Sequence, residues 1–210
     1  MYNIPTYKEK DEKVILEFLN EYPFGLITGI DSKGIPVATQ IPFLIEKRGN
    51  DLYLLGHVMK NTDYYKAFEK NSNVLVVFSG PNGYVSATWC ANKSKGSTWN
   101  YMSVHTRGNI SFFEGEALIS LMKKFTLSFE NGNTESPTVY DNLPDTYTNK
   151  WMPHIIGFEI KVESLDTVFK LSQGLDKESY LNVITELEKR GGTNSFLAEE
   201  MKKRIKSLFS

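Results

Sequence analysis

Three short segments carry the residue types that could bind or react with a ligand. The first is Gly56-His57-Val58-Met59-Lys60-Asn61. It reads as a strand end that delivers a cation and several donors to a helix start. Helix N-termini expose unpaired N–H groups and a partial positive charge, so an anion such as a phosphate suits this place. Plain strand-ending and helix-capping roles for His57 and Asn61 fit the same pattern. The second segment is Thr98-Trp99-Asn100-Tyr101-Met102-Ser103-Val104-His105, with Trp89 across a polar loop. Aromatic rings beside amide donors suit a planar polar ligand, and equally a dimer interface or a barrel core. The third is Phe169-Lys170-Leu171-Ser172-Gln173, where a lysine, a hydroxyl and an amide leave a strand together. They could meet a phosphate or a carbonyl, or simply face water.

Other chemistries find little footing. The chain has no G-x-G-x-x-G, no P-loop and no G-x-S-x-G elbow. One cysteine, Cys90, precludes an internal disulfide and fits a reducing cytoplasm. Cys90 with His105 could form a nucleophile pair, although a small partly buried residue explains Cys90 as well. The three histidines stand in three segments without metal-ligand spacing, so no metal site is expected. Lys202-Lys203-Arg204 with Lys206 is the best candidate for DNA contact. Yet residues 176–210 hold seven basic and six acidic residues, the mixture of a solvated helix face.

These segments need elements to hold them. The periodicity predicts a helix over about 11–21, a buried strand from Phe24 to Ile30, and a returning strand from Ile35 to Ile45. Further strands are expected at Leu52–His57, Val74–Ser79, Tyr84–Ser86, Ile155–Val162 and Thr167–Leu171. Gly80-Pro81-Asn82-Gly83 reads as a turn, and Trp99–Glu114 as a long strand broken near Gly108. Short helices are expected around Tyr64–Phe68 and Leu118–Phe125, and two more in the tail after Asp176. Residues 131–153 show no period and hold three prolines, so they read as a long loop. Tight turns between short strands favour an antiparallel closed or split barrel over a parallel sheet.

Composition sets outer limits. The chain has 210 residues, 40% hydrophobic and 23% charged, enough for a substantial core. A net charge of -1 excludes a surface built throughout for phosphate binding. No secretory signal or membrane-spanning run is read from it.

Taken in order, Phe24-Gly25-Leu26-Ile27, Ala38-Thr39-Gln40-Ile41-Pro42, Gly56-His57, Gly80-Pro81, Thr98-Trp99-Asn100-Tyr101 with Val104-His105, Gly157-Phe158-Glu159-Ile160 and Lys170-Leu171-Ser172-Gln173 resemble the PaiB family. These are FMN-binding split-barrel proteins described as negative transcriptional regulators of sporulation and degradative-enzyme genes. The resemblance implies a mainly β (α+β) fold, a six-stranded antiparallel split barrel with peripheral helices and a helical tail. Residues 1–175 would form the barrel domain, and 176–210 an extension packed on the barrel or on a partner. It further implies a cytoplasmic homodimer with FMN at its interface. Thr39, Gln40 and Ile41 would lie along the isoalloxazine. His57, Lys60 and Asn61 would hold the phosphate or ribityl chain. Trp99, Asn100 and Tyr101 would approach from the partner subunit, and Lys170, Ser172 and Gln173 would close the site. This chain departs from the family pattern at Gln40, where a histidine is usual, at Ser86–Cys90 and at Gly174. A flavin-binding regulator is the leading reading. A flavin-dependent oxidoreductase and a barrel without flavin that works through protein contacts are the alternatives.

Overall fold

The computed structural model describes residues 1–93 and 96–209, so the middle of the expected polar loop 92–97 lies outside the described residues. Among the described residues seven strands are present: β1 (Phe24–Ile30), β2 (Pro36–Pro42), β3 (Leu44–Arg48), β4 (Asp51–Met59), β5 (Asn73–Val85), β6 (Thr98–Phe113) and β7 (Ile155–Lys170). The helices are α1 (Glu12–Glu21), α2 (Asp63–Lys70), α3 (Gly115–Phe129), α4 (Asp145–Trp151), α5 (Lys177–Arg190), α6 (Thr193–Lys203) and α7 (Ile205–Phe209). Among the described residues, no helix is long and apolar enough to cross a membrane.

The strands join in the order β2-β1-β5-β6-β7-β4-β3. The ladders β1–β2, β1–β5, β3–β4 and β4–β7 are all antiparallel. Contacts divide the chain into two compact units. The first is Met1–Phe18, Ser79–Val104 and Asp166–Ser210; the second is Leu19–Phe78 and His105–Leu165.

The closure of the sheet lies in the second unit, at Phe43. β2 and β3 stand at opposite ends of the strand order, yet only Phe43 separates them in sequence. A flat sheet of seven strands is about 29 Å across, whereas two peptide units span roughly 7 Å. The sheet must therefore curl until its ends meet. Phe43 turns inward at the closure, 1% exposed, with its rings 5.4 Å from Phe78 and 5.9 Å from Phe158, and its N–H donates to Pro23 O. Leu54, Ile27, Val76 and Ile160 complete this core. Thr62 caps α2 by accepting from the Tyr65 N–H, and α2 buries Ala67 and Phe68.

The first unit packs helices α5 and α6 around Tyr180, Val183, Leu187, Leu197 and Met201, all buried. Asp176 caps α5 by accepting from the Ser179 N–H. The fully buried Tyr180 hydroxyl donates to Met201 O at 2.9 Å, and burial pushes its pKa up to about 12.

Several expectations need correction. The resemblance implies six strands and the structure has seven; residues 35–45, expected as one strand, form two that part at the barrel closure. The expected turn at residues 80–83 is the middle of β5, and β6 runs through Gly108 unbroken. The two strands expected between Ile155 and Leu171 are one, β7. Residues 131–153, expected as loop, contain α4 and two single-turn 3-10 helices. Their prolines interrupt the period but still permit short helical pieces.

Candidate functional site

The candidate residues fall into two groups, one in each unit. In the second unit, β2 ends the strand order, so among the described residues one edge of Thr39-Gln40-Ile41 is hydrogen-bonded to no neighbouring strand and presents backbone donors and acceptors beside the closure. Thr39 and Ile41 are half-buried, while Gln40 is exposed and sits directly opposite Leu26. The end of β2 lies against β4: a Cβ on Gly56 would stand 3.3 Å from Pro42 O. Gly56 and Pro42 are thereby neighbours.

His57 follows Gly56 and turns its ring under α3, edge-on to Phe125 with centroids 5.1 Å apart. Its Nδ1 is enclosed without a hydrogen-bond partner, and burial lowers its pKa below 6.5. The imidazole is therefore neutral near pH 7 and cannot serve as the counter-charge of a phosphate. Lys60 can. Its ammonium is about one-third exposed and pairs with the Glu114 carboxylate at 2.7 Å, while its N–H donates to His154 O. Asn61 accepts from Lys66 through its side-chain oxygen at 3.3 Å, and Thr62, rather than Asn61, caps α2.

The first unit brings other candidates together. Asn100, fully buried, donates from Nδ2 to Ser172 Oγ at 2.8 Å. Lys170 donates to Thr98 Oγ1 and lies 5.6 Å from the Tyr2 ring centroid. Asn100, Lys170 and Ser172 line one hollow of about 360 Å³. Gln173 is held elsewhere: its Oε1 accepts from the Leu171 N–H, and its Nε2 donates to Phe169 O and Thr6 O. Strand alternation sends Asn100 to the buried face and Trp99 and Tyr101 to the other. Trp99, 51% exposed, donates from Nε1 to Asn82 Oδ1, and both rings line a separate hollow of about 320 Å³. The triplet Trp99-Asn100-Tyr101 is thus not presented as one surface.

Two partners were invisible to sequence reading. Glu114 meets Lys60 from the end of β6, and Phe125 covers His57 from α3; no local pattern links either pair. Tyr2 and Tyr7, which wall the hollow around Lys170, gave no signal either.

Residues 1–164 match the family described as "Putative FMN-binding domain". The chain is also 30% identical to the Bacillus subtilis "Protease synthase and sporulation protein PAI 2" over 207 residues, 98% of this chain and 99% of that protein. The chain belongs to the PaiB family. The cofactor that membership carries is FMN. Solved structures agree on the fold. The flavocytochrome Anf3 of Azotobacter vinelandii superposes with a TM-score of 0.59 at 17% identity, covering 86% of this chain and 78% of its own. The FAD and heme binding protein of Mycobacterium smegmatis gives 0.55 at 15% identity, covering 78% and 73%.

The PaiB-family residues of the second unit fit an FMN. The unpaired β2 edge offers backbone groups for a polar ring edge, Lys60 offers the charge a phosphate needs, and the orphaned Nδ1 marks a hydrogen-bonding site left incomplete.

His57 also sets a pH dependence. Its folded pKa is depressed, so the unfolded chain binds more protons at mildly acid pH. The stabilisation is complete above 6.5 and is lost as pH falls through the folded pKa. The depressed carboxylates Glu46, Glu130 and Asp166 titrate below about 4.5, outside this window. The melting temperature should decline between pH 7 and 5 in the native chain, and decline less in His57→Gln. Equal slopes would remove His57 from the account.

Proposed function

We propose that this protein is a homodimeric FMN-binding regulator, with the flavin held by the second unit at the subunit interface. The observation that supports this reading is that Pro42, at the end of the strand carrying Thr39–Ile41, lies against Gly56, where the segment to Asn61 begins. Thr39, Gln40 and Ile41 would give backbone groups to the ring edge. Lys60 would hold the phosphate, with Asn61 beside it and neutral His57 as a hydrogen-bonding group. FMN, when bound, supplies a ring system that takes up and returns electrons.

The dimer reading is supported by an apolar face on β1 and its neighbours. Phe24, Leu26 and Ile30 are 57, 37 and 45% exposed, and Ala38 and Pro36 stand opposite Thr28 and Ile30 on β2. An uncharged apolar sheet face of this kind suits a protein partner. Gln40 stands opposite Leu26, so a flavin edge held by Gln40 would lie beside that face. Regulation is supported by the name of the Bacillus subtilis relative, which concerns protease synthesis and sporulation. Direct DNA contact by the tail finds no support, because Lys202 pairs with Glu188, and both Lys203 and Arg204 pair with Glu200.

Leu26→Glu tests dimer and flavin together. A charge on this face should yield a monomer by sedimentation, and FMN affinity should fall at least about tenfold with it. A monomeric variant that binds FMN as tightly as the native chain would remove the flavin from the interface.

A further inference from the structure

Residues 131–153, expected as a loop, lead into a stripe of aromatic rings. α4 and the 3-10 turn after it place Tyr147, Trp151 and His154 four and three residues apart, the spacing that lines side chains up on one helix face. Their rings form a ladder, with centroids 6.5 Å apart from Tyr147 to Trp151 and 6.3 Å apart from Trp151 to His154. The ladder is open to solvent. Tyr147 is 52% and Trp151 40% exposed, His154 is exposed as well, and no residue of α4 is buried. A helix that only covered the barrel end would turn its large rings inward, because they carry the apolar area that gains most from burial.

The ladder begins beside Lys60. Met59 pairs with Ile155 in the β4–β7 register, and the Lys60 N–H donates to His154 O at 2.9 Å. All of these residues belong to the second unit. A second ammonium stands further along. Lys150 Nζ lies 5.1 Å from the Trp151 ring centroid, and among the described residues it pairs with no carboxylate. Followed contact by contact from Lys60, the order is His154, Trp151 with Lys150 over it, and Tyr147. FMN ends at its phosphate and would use only Lys60. A flavin whose phosphate continues into a second phosphate and an adenosine would use the whole series. The second phosphate suits the Lys150 charge, and the flat face of adenine suits a ladder of exposed rings.

We infer that the flavin site of the second unit is longer than FMN requires and takes a flavin adenine dinucleotide, FAD, with its adenine on Trp151 and Tyr147. The inference rests on the proposed flavin site, with its first phosphate at Lys60.

Isothermal titration of the full chain with FMN and with FAD tests it. FAD should bind at least about tenfold more tightly than FMN. Trp151→Ala should weaken FAD binding by about tenfold and leave FMN within about twofold of its native affinity. Tyr147→Ala should act in the same direction and less strongly. Both rings are exposed, so neither change opens a cavity in the core, and retained FMN binding reports that each variant is folded. A chain that binds FMN without preferring FAD would overturn the adenine subsite and leave the flavin site standing. An FAD preference that survives in both variants would overturn it too, by placing the adenine elsewhere. So would an equal loss of FMN and FAD in Trp151→Ala, which would make that ring part of the common flavin site. A chain that binds neither ligand would refute the flavin site itself, and the subsite with it.

Discussion

Replacing Gly108 by valine is expected to lower the melting temperature by roughly 6–12 °C, or to prevent folding of the barrel. A Cβ at this position would lie 2.0 Å from Lys161 O and 3.0 Å from Lys161 C. Both are backbone atoms of β7, so no rotamer change relieves the overlap. β6 and β7, neighbours in the sheet, would have to separate, or β6 would have to twist away and expose the core on that side. Overpacking of this kind costs about 3 kcal/mol or more when only backbone can yield. Gly174→Ala is the matched control. Its Cβ would meet nothing within 4 Å, so the change should be within about 0.5 kcal/mol of neutral. Thermal unfolding of the three proteins checks this, and an unchanged Gly108→Val would contradict the packing of β6 on β7.

Reversing the charge at Lys60 should have the largest effect on ligand binding. Lys60→Glu is expected to weaken FMN binding by about 100-fold or more. Loss of a charge-assisted contact to phosphate would account for about 1.5–3 kcal/mol, and the new carboxylate would add repulsion to both the phosphate and Glu114. In the native chain the Lys60 ammonium pairs with Glu114 at 2.7 Å, so in the proposed site the neighbouring carboxylate would compete with the ligand. Glu114→Gln should therefore tighten FMN binding several-fold, and Lys60→Gln should weaken it about tenfold. The opposite signs for two neighbouring substitutions separate phosphate binding from general damage to the fold. Fluorescence titrations give all three constants, and indifference of FMN to Lys60→Glu would place the phosphate elsewhere.

The helices were largely legible because their signals are local. Ile15, Phe18 and Leu19 in α1, and Tyr180, Ile184 and Leu187 in α5, repeat at helical spacing, and all are buried. The strands were legible in position but not in extent. Gly80-Pro81-Asn82-Gly83 has turn composition, yet Gly80 serves close approach: a Cβ there would come 2.5 Å from the Phe18 ring. Gly108 misleads in the same way. A glycine demanded by a distant neighbour cannot be told from a turn glycine in one sequence. The split at Phe43 is equally non-local, because it exists only once the barrel closes.

The site shows the same division. Lys60 and His57 could be chosen from the strand-to-helix pattern. That Lys60 is shared with Glu114, and that His57 is held neutral beneath Phe125, depends on β6 and α3 arriving from more than fifty residues away. Gln173 illustrates the converse. Its position at a strand end suggested a ligand contact, while its amide is engaged with three backbone groups of the first unit.

The central claim is that this chain binds FMN, and a fluorescence titration of FMN with the purified chain tests it most directly. The account predicts saturable quenching of the flavin at one FMN per chain, with a dissociation constant in the micromolar range or below, about -8 kcal/mol or more favourable. Flavin that remains fully fluorescent at about 100 µM protein, well above that range, would contradict it.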